Sequence, residues 1–108
     1  MPEKNVTIFK MLDVSLGHVT ADTVKLLDDC ADSAKPIICY DKKLYGFFIV
    51  VPAEKELYDD VLKQVPDDLR RVFKLAKAYD CDWINLDTCG TVYPDLLFYE
   101  ENIEQYPI

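Results

Sequence analysis

Apolar residues recur at helical spacing over residues 66–79 and predict the main helix of the chain. The positions on this stripe are Leu69, Val72, Phe73, Ala76 and Tyr79, with Leu75 beside them. Residues three or four positions apart share one face of a helix, so this face needs a sheet to cover it. The next segment, residues 82–87, alternates between apolar and polar positions, with Ile84 and Leu86 on one side. This alternation predicts a strand directly after the helix.

A hairpin is predicted over residues 36–52, where two apolar runs flank the polar turn Asp41-Lys42-Lys43. β-Branched and aromatic residues on both sides of a polar turn are typical of paired strands. The second arm, residues 44–51, is apolar at both parities, so we predict a strand near the centre of the sheet. Gly46 in this arm indicates a bulge or a close backbone contact.

The remaining elements are predicted from weaker patterns. Imperfect alternation predicts a first strand over residues 6–13. Thr20 is a suitable N-cap for a helix that runs to about residue 33. Residues 53–65 are short and charged, and we expect only a turn or two of helix there. After a turn at Cys89-Gly90, residues 96–100 are predicted to form the last strand.

The predicted element order is therefore β-α-β-β-α-β-β, which indicates the α+β class. With 108 residues the chain can bury one core, so we expect a single domain over residues 1–108. The simplest packing is a mostly antiparallel sheet of about five strands with the two main helices on one face. We expect residues 1–5 and 101–108 to be loosely held.

Two helices can cover only one face of such a sheet, so the other face should be partly exposed. The aromatic candidates for this face are Tyr45, Phe47, Trp83 and Tyr99. Rimmed by Asp87 and Glu101, they would form an interaction surface. The alternative, that residues 53–65 or the C-terminal tail fold over this face, stays open at this stage.

Acidic residues are concentrated near the end of the chain. Residues 78–108 hold seven acidic residues and no lysine or arginine, so −7 of the net charge of −8 lies there. The residues that we assign to partner binding are Asp80, Asp82, Asp87, Glu100 and Glu101. This distribution disfavours direct binding to nucleic-acid phosphates and permits binding to a basic protein surface. The alternative is an acidic face that only keeps the protein soluble.

Candidate chemistry is sparse. His18 follows a glycine at a predicted helix start, where a general base could be exposed, but no nucleophile is visibly tied to it. We therefore expect a surface or capping imidazole and no enzyme, with a small hydrolase using His18 as the alternative.

A metal or a cofactor is not predicted either. Three aspartates, at positions 80, 82 and 87, could gather Mg²⁺, but no lysine or arginine follows Lys77 to hold an anionic substrate. The cysteines lack the CxxC spacing of zinc sites, and the three glycines lie too far apart for a phosphate-binding loop.

The compartment follows from what the chain lacks. No apolar leader follows the N-terminus and no apolar run approaches the roughly 20 residues of a membrane span. We therefore expect a cytoplasmic protein whose four cysteines are reduced and buried as small hydrophobic residues. A bridge between Cys81 and Cys89 is the alternative.

Three segments together resemble a known group of proteins: LGHVTADTVKLLDD (residues 16–29), LYGFFIVVP (44–52) and PDDLRRVFKLAKAYDCDWINLD (66–87). The most specific motif is Cys81-Asp82-Trp83. The resemblance spans residues 16–100 and is to an uncharacterised domain family of small acidic proteins carried by bacterial plasmids, conjugative elements and phages. It implies no catalytic residue. It implies a setting in which some small acidic proteins block host restriction or CRISPR nucleases.

The leading hypothesis is a non-enzymatic module that binds a basic protein surface, such as that of a nuclease or another nucleic-acid-binding protein of host defence. Its carboxylates would imitate phosphates, and its aromatic face would supply contact area. The alternative is a homodimeric structural or regulatory protein, assembled through the aromatic face or a sheet edge.

Overall fold

The computed structural model describes residues 6–99. Its elements are strand β1 (Met11–Ser15), helix α1 (Ala21–Ser33), strands β2 (Cys39–Asp41) and β3 (Gly46–Val50), helices α2 (Lys55–Gln64) and α3 (Asp67–Ala78), and strand β4 (Trp83–Asp87). Short 3-10 turns occupy Leu16–His18 and Lys43–Tyr45. The described residues form a single α+β domain, which confirms the predicted class.

The four strands form a mixed sheet in the order β1-β4-β3-β2. β4 lies between β1 and β3, parallel to β1 and antiparallel to β3. Two of the three pairings are antiparallel, but one is parallel, and the sheet of the described residues has four strands where five were predicted. β3 does lie inside the sheet, and Gly46 has φ 132 and no room for a Cβ beside the Leu86 carbonyl. The predicted central strand and close backbone contact are thus confirmed.

The predicted fifth strand does not form in its described part, residues 96–99. The chain instead makes a turn closed by a hydrogen bond from the Leu96 N–H to the Tyr93 carbonyl, 3.2 Å long. Pro94 suits the second position of such a turn and has no N–H to donate to a sheet. The last residue of the predicted strand, Glu100, lies outside the described residues, as do the segments 1–5 and 101–108.

The first strand begins later than predicted, at Met11 and not at residue 6. Its register with β4 starts at the Met11–Trp83 pair, so the residues before Met11 have no strand beside them. Residues 6–10 are exposed and have no regular secondary structure. Residues 6–10 therefore lie outside the sheet, although their sequence favours a strand, because β4 does not extend beside them.

The helices differ from the prediction in number and order. α2 is a full helix of 10 residues that buries Tyr58 and Val61, so the observed order is β-α-β-β-α-α-β. On α3 the predicted stripe is buried up to Ala76, whereas Tyr79 is 63% exposed. The helix ends at Ala78 and the chain turns through Asp80 at φ 57, which directs Tyr79 away from the stripe.

One hydrophobic core lies between the sheet and all three helices. The sheet contributes Leu12, Val14, Cys39, Phe47, Ile49, Ile84 and Leu86, all on one face. Each fully buried side chain of this size stabilises the fold by about 1.5–3 kcal/mol. The helices therefore cover one face of the sheet, and the site must be sought on the other face, on its edges or in the loops.

Candidate binding surface

The face of the sheet opposite the helices is covered by no helix or strand within residues 6–99. We call it the open face. Its side chains alternate along each strand with those of the core. The strand register arranges most of them in two rows that run across the sheet, the first apolar and the second aromatic and polar, and a charged region lies beyond the second row.

The first row is entirely apolar. It consists of Met11, Trp83, Val50 and Ile38, which lie side by side because Met11 and Val50 both pair with Trp83 and the Val50 N–H donates to the Ile38 carbonyl. Met11 is 46% exposed and Ile38 is 47% exposed. A groove of about 190 Å³ extends this row past Pro52 to Leu57 on α2. The result is a continuous apolar strip at one end of the open face.

The second row joins aromatic and polar side chains: Asp13, Asn85, Phe48 and Tyr40. The Tyr40 ring is 55% exposed and lies 5.9 Å from the Trp83 ring of the first row. Phe48 is half-buried, and the Lys42 ammonium lies 4.6 Å from its ring centre. The row therefore connects the apolar strip to a charged region.

The charged region is a hydrogen-bonded chain that runs across the sheet. The Lys42 ammonium donates to Asn85 and, at 2.5 Å, to Asp87. The Asn85 amide donates to Asp13, 3.1 Å away, and the other carboxylate oxygen of Asp13 accepts from the N–H and hydroxyl of Thr91. These bonds link the side chains at this end of the open face into one network.

Asp87 is the acidic centre of this chain. Burial opposes its ionisation, but the hydrogen bonds from Lys42 and the Cys89 N–H, together with the Lys42 charge, outweigh that effect and lower the pKa of Asp87. Both side chains of the pair are largely covered, with 14% of Lys42 and 23% of Asp87 exposed. Asp87 is therefore ionised and neutralised by a lysine of the first half of the chain.

A model of the family of unknown function DUF5983, C-terminal domain, matches residues 11–101. The chain belongs to the DUF5983 family. No curated protein and no solved structure shows significant similarity to it. Membership confirms the prediction of an uncharacterised domain family, and a mobile-element origin stays a prediction.

In this DUF5983 domain the aromatic candidates are only partly on the predicted surface. Trp83 lies on the open face, whereas Phe47 faces the core and is 2% exposed, so its assignment to a partner surface is wrong. Its neighbour Phe48 takes that place. Tyr45 is exposed in the 3-10 turn before β3, and Tyr99 donates its N–H to the Gly17 carbonyl in the last described loop.

The acidic candidates do not form one cluster in the DUF5983 domain. Asp80 and Asp82 precede β4 and Asp87 ends it, and a strand of this length separates its ends by roughly 15 Å. Asp82 accepts the Lys10 N–H, and Asp80 is exposed. The remaining two candidates, Glu100 and Glu101, lie outside the described residues.

A second acidic group was missed by sequence reasoning. It consists of Asp28, Asp29, Asp32 and Asp41, contributed by α1 and β2. Burial and then the charges of the other three aspartates raise the pKa of Asp28, so these carboxylates are close enough to repel. Within residues 6–99 no side-chain nitrogen of lysine or arginine lies within 4.0 Å of these carboxylates, and the Lys43 backbone N–H donates to Asp41 at 2.6 Å. Only the pairing of β2 with β3 brings Asp41 to α1, which the linear sequence does not reveal.

His18 is buried, so the surface alternative of the predicted surface or capping imidazole is wrong. It is 2% exposed, and Nε2 accepts the Tyr93 N–H at 2.8 Å, which leaves Nδ1 to donate to the Leu97 carbonyl at 2.7 Å. The Phe98 ring meets it edge-on at 5.8 Å. With both ring nitrogens bound to the backbone, His18 anchors residues 91–99 in this DUF5983 domain.

The cysteines are all free thiols, so the alternative of a bridge between Cys81 and Cys89 is not realised. Three are buried as expected, and Cys89 is exposed. Burial, followed by the nearby charges of Cys30, Asp28 and Asp41, raises the pKa of Cys39 to about 12. Among residues 6–99 no group of three or more His, Cys, Asp or Glu side chains is arranged to hold a metal ion. None of the helices in this range is long and apolar enough to span a membrane.

Proposed function

We propose that the domain is a non-enzymatic protein-binding module that contacts its partner through the open face. The observation that carries this proposal is the apolar row of Met11, Trp83, Val50 and Ile38, which continues into the groove beside Leu57. Contiguous exposed apolar surface is costly in water and marks interaction sites in soluble proteins. Trp83 and Tyr40 are the residue types that contribute most to binding energy at such sites.

The partner is a protein with an apolar patch bordered by lysine and arginine. The chain carries a net charge of −8, and Asp82 directly precedes Trp83 of the apolar row. Asp41 follows Tyr40 at the β2 edge of the sheet, but its side chain lies on the helix side, with the acidic group of α1 and β2. A basic partner that also reaches over the β2 edge would meet these carboxylates, which raises association rates and selects against acidic partners.

In its finer form the proposal makes the domain an inhibitor of mobile-element origin. Its target would be the basic surface with which a host-defence nuclease holds nucleic acid. Asp87 is neutralised by Lys42, so the phosphate-like role falls to Asp80 and Asp82 and to the aspartates of α1 and β2. Reversing two charges in D80K/D82K should abolish partner binding, while E56K/D60K on α2, a matched reversal, should leave it intact. An equal loss of partner binding in both variants would show that only the net charge of the domain matters, and not the position of Asp80 and Asp82.

The open face itself is tested by replacing exposed apolar residues. I38S/Y40S should lose the partner captured by the wild-type domain, as measured by quantitative mass spectrometry of affinity-purified complexes. V92S/L97S is the matched control, because Val92 and Leu97 are each 57% exposed in the loop after β4 and belong to neither the apolar row nor the groove. Retention of the same partner by I38S/Y40S would refute the proposal.

Self-association is the second candidate, because an exposed apolar row can also pair with a second copy. Light scattering of the wild type at low and high concentration decides between them. A wild-type dimer that I38S/Y40S converts to a monomer would make the open face a homodimer interface. A monomer at both concentrations would exclude the homodimer and favour a different protein as the partner of the open face.

A further inference from the structure

A second concave site lies on the opposite side of β1 from the open face. It is a cavity of about 300 Å³ lined by Leu12, Leu75, Tyr79, Tyr93, Pro94, Asp95 and Leu96. The floor comes from β1 and α3, and the turn of residues 93–96 forms the outer wall. Its volume is at the lower end of the range for small-molecule sites. We call it the α3–turn cavity.

The wall of this cavity is held in place by hydrogen bonds on both sides of the turn. The Tyr93 hydroxyl donates to the Asp13 carbonyl at 2.6 Å, and the Tyr93 N–H donates to His18. Beyond the turn, the Leu97 carbonyl accepts from the same imidazole. A ligand would therefore meet a preformed wall and would not have to order a loose loop, which reduces the entropic cost of binding.

The electrostatic character of the cavity favours a cation. Asp95 on the turn has no lysine or arginine within 4.0 Å among residues 6–99. Leu75 and Tyr79 stand at the C-terminal end of α3, where the free carbonyls carry negative partial charge. The Lys10 ammonium already binds the Tyr79 carbonyl at 2.5 Å, so the negative group that remains for a ligand is the Asp95 carboxylate.

The two tyrosines add to this preference. Burial and the charge of Asp13 are the main causes that raise the pKa of Tyr93, so its phenol ring stays neutral. Neutral aromatic rings attract ammonium groups through their electron-rich faces. The leucines and Pro94 leave the rest of the cavity apolar, suited to a short hydrocarbon body.

We propose that the α3–turn cavity binds a small organic amine in its ammonium form, with the charged group at Asp95 and the tyrosines and the apolar body against the leucines. This site is separate from the open face and does not depend on the proposed partner. Neutral molecules of the same shape should bind more weakly because they forgo the interaction with Asp95 and the rings.

The test is a titration of the ¹⁵N-labelled full chain with pentylammonium chloride, pentanol and pentanoate, followed by NMR. Pentylammonium should shift the amide signals of Leu75, Tyr79 and Leu96 saturably. Pentanol should bind about tenfold more weakly, equivalent to about 1.4 kcal/mol, and pentanoate not at all. Equal binding of pentanol would refute the preference for a cation. Absence of saturable shifts with all three probes would refute the site.

Variants locate the charge and the cavity. D95N should weaken pentylammonium binding about threefold to tenfold, while D60N on α2 removes the same charge elsewhere and should change nothing. L96W fills the cavity and should abolish the shifts at Leu75 and Tyr79. Equal affinities in D95N and D60N, or unchanged shifts in L96W, would overturn the assignment.

Discussion

A single imidazole determines how the last described loop lies on the domain. His18 accepts from Tyr93 and donates to Leu97, so one side chain fixes both ends of the turn that walls the α3–turn cavity. The adjacent residue, Gly17, has no side chain, and its backbone carbonyl accepts a hydrogen bond from the Tyr99 N–H at 2.6 Å. Residues 91–99 are thus tied to the 3-10 turn after β1 by backbone groups at three points.

Substitutions of His18 should show how much each of its two hydrogen bonds contributes to the free energy of unfolding. H18Q can place an amide oxygen near the Tyr93 N–H, and H18N can place an amide N–H near the Leu97 carbonyl, so each should lose about 1 kcal/mol. H18A loses both bonds and the contact with Phe98, and should lose about 2–4 kcal/mol. Urea unfolding followed by the fluorescence of the only tryptophan, Trp83, measures these losses. Equal stability of H18A and wild type would show that the loop is not anchored there.

Two glycines, Gly17 and Gly90, lie where neighbouring parts of the chain leave no room for a Cβ. A Cβ on Gly90 would overlap the backbone of Val14 and Ser15, because the turn after β4 passes directly over β1. The three atoms nearest to a Cβ on Gly17 all belong to the ring of Phe98, a side chain that is 41% exposed. The two positions therefore differ in what must move to make room.

G90A should cost more stability than G17A. Relief at position 90 requires a backbone shift between β1 and β4, for which about 3 kcal/mol is expected, whereas the Phe98 ring can rotate outward at a cost of about 1 kcal/mol. Urea denaturation of both variants gives the two losses under identical conditions. A larger loss for G17A would mean that Phe98 is held more firmly than its exposure indicates.

Elements with strong local signals were predicted well from the sequence. Thr20 caps α1 as expected, accepting the Thr23 N–H, and α3 and β4 fall where periodicity places them. The parallel pairing of β1 with β4 joins residues about 70 positions apart and leaves no local pattern. The predicted strand at the end of the chain was wrong because its run of apolar and aromatic residues also suits a loop fastened by His18.

At the scale of the whole molecule, the two faces of the sheet explain which site residues could be predicted. The sequence indicates that one face of β3 is not covered by helices. It does not indicate which face, because the residues of both parities are apolar. Phe47 lies under the helices and Phe48 does not, a choice decided by the register with β4. Likewise, acidic residues that are close in sequence separate along β4, while Asp28 and Asp41, distant in sequence, come together.

Two aspartates should influence stability with opposite signs. Burial and the other three aspartates raise the pKa of Asp28 above its unfolded value, so its ionised form costs stability at neutral pH. D28N should therefore stabilise the domain at pH 7, by a few tenths of a kcal/mol because the side chain is exposed. The gain should disappear as the pH falls through the folded-state pKa, and salt should reduce it.

Asp87 provides the opposite case. Lys42 and the Cys89 N–H lower its pKa despite burial, so its ionised form contributes stability above the unfolded pKa that is lost as the pH falls through the folded pKa. D87N should therefore destabilise the domain at pH 7 by about 1–3 kcal/mol, since it removes the charge that pairs with the largely covered Lys42 ammonium and leaves one amide oxygen for two donors, Lys42 and the Cys89 N–H. The loss should shrink below the normal range of aspartate pKa values, where the wild type also loses this contribution.

Thermal unfolding of D28N, D87N and the control D60N at pH 7 and at about pH 3 gives the sign of the stability change for all three variants. Stabilisation by D87N at neutral pH would show that the pair with Lys42 does not hold the open face together, and a loss in D28N would show that the aspartates of α1 and β2 do not repel.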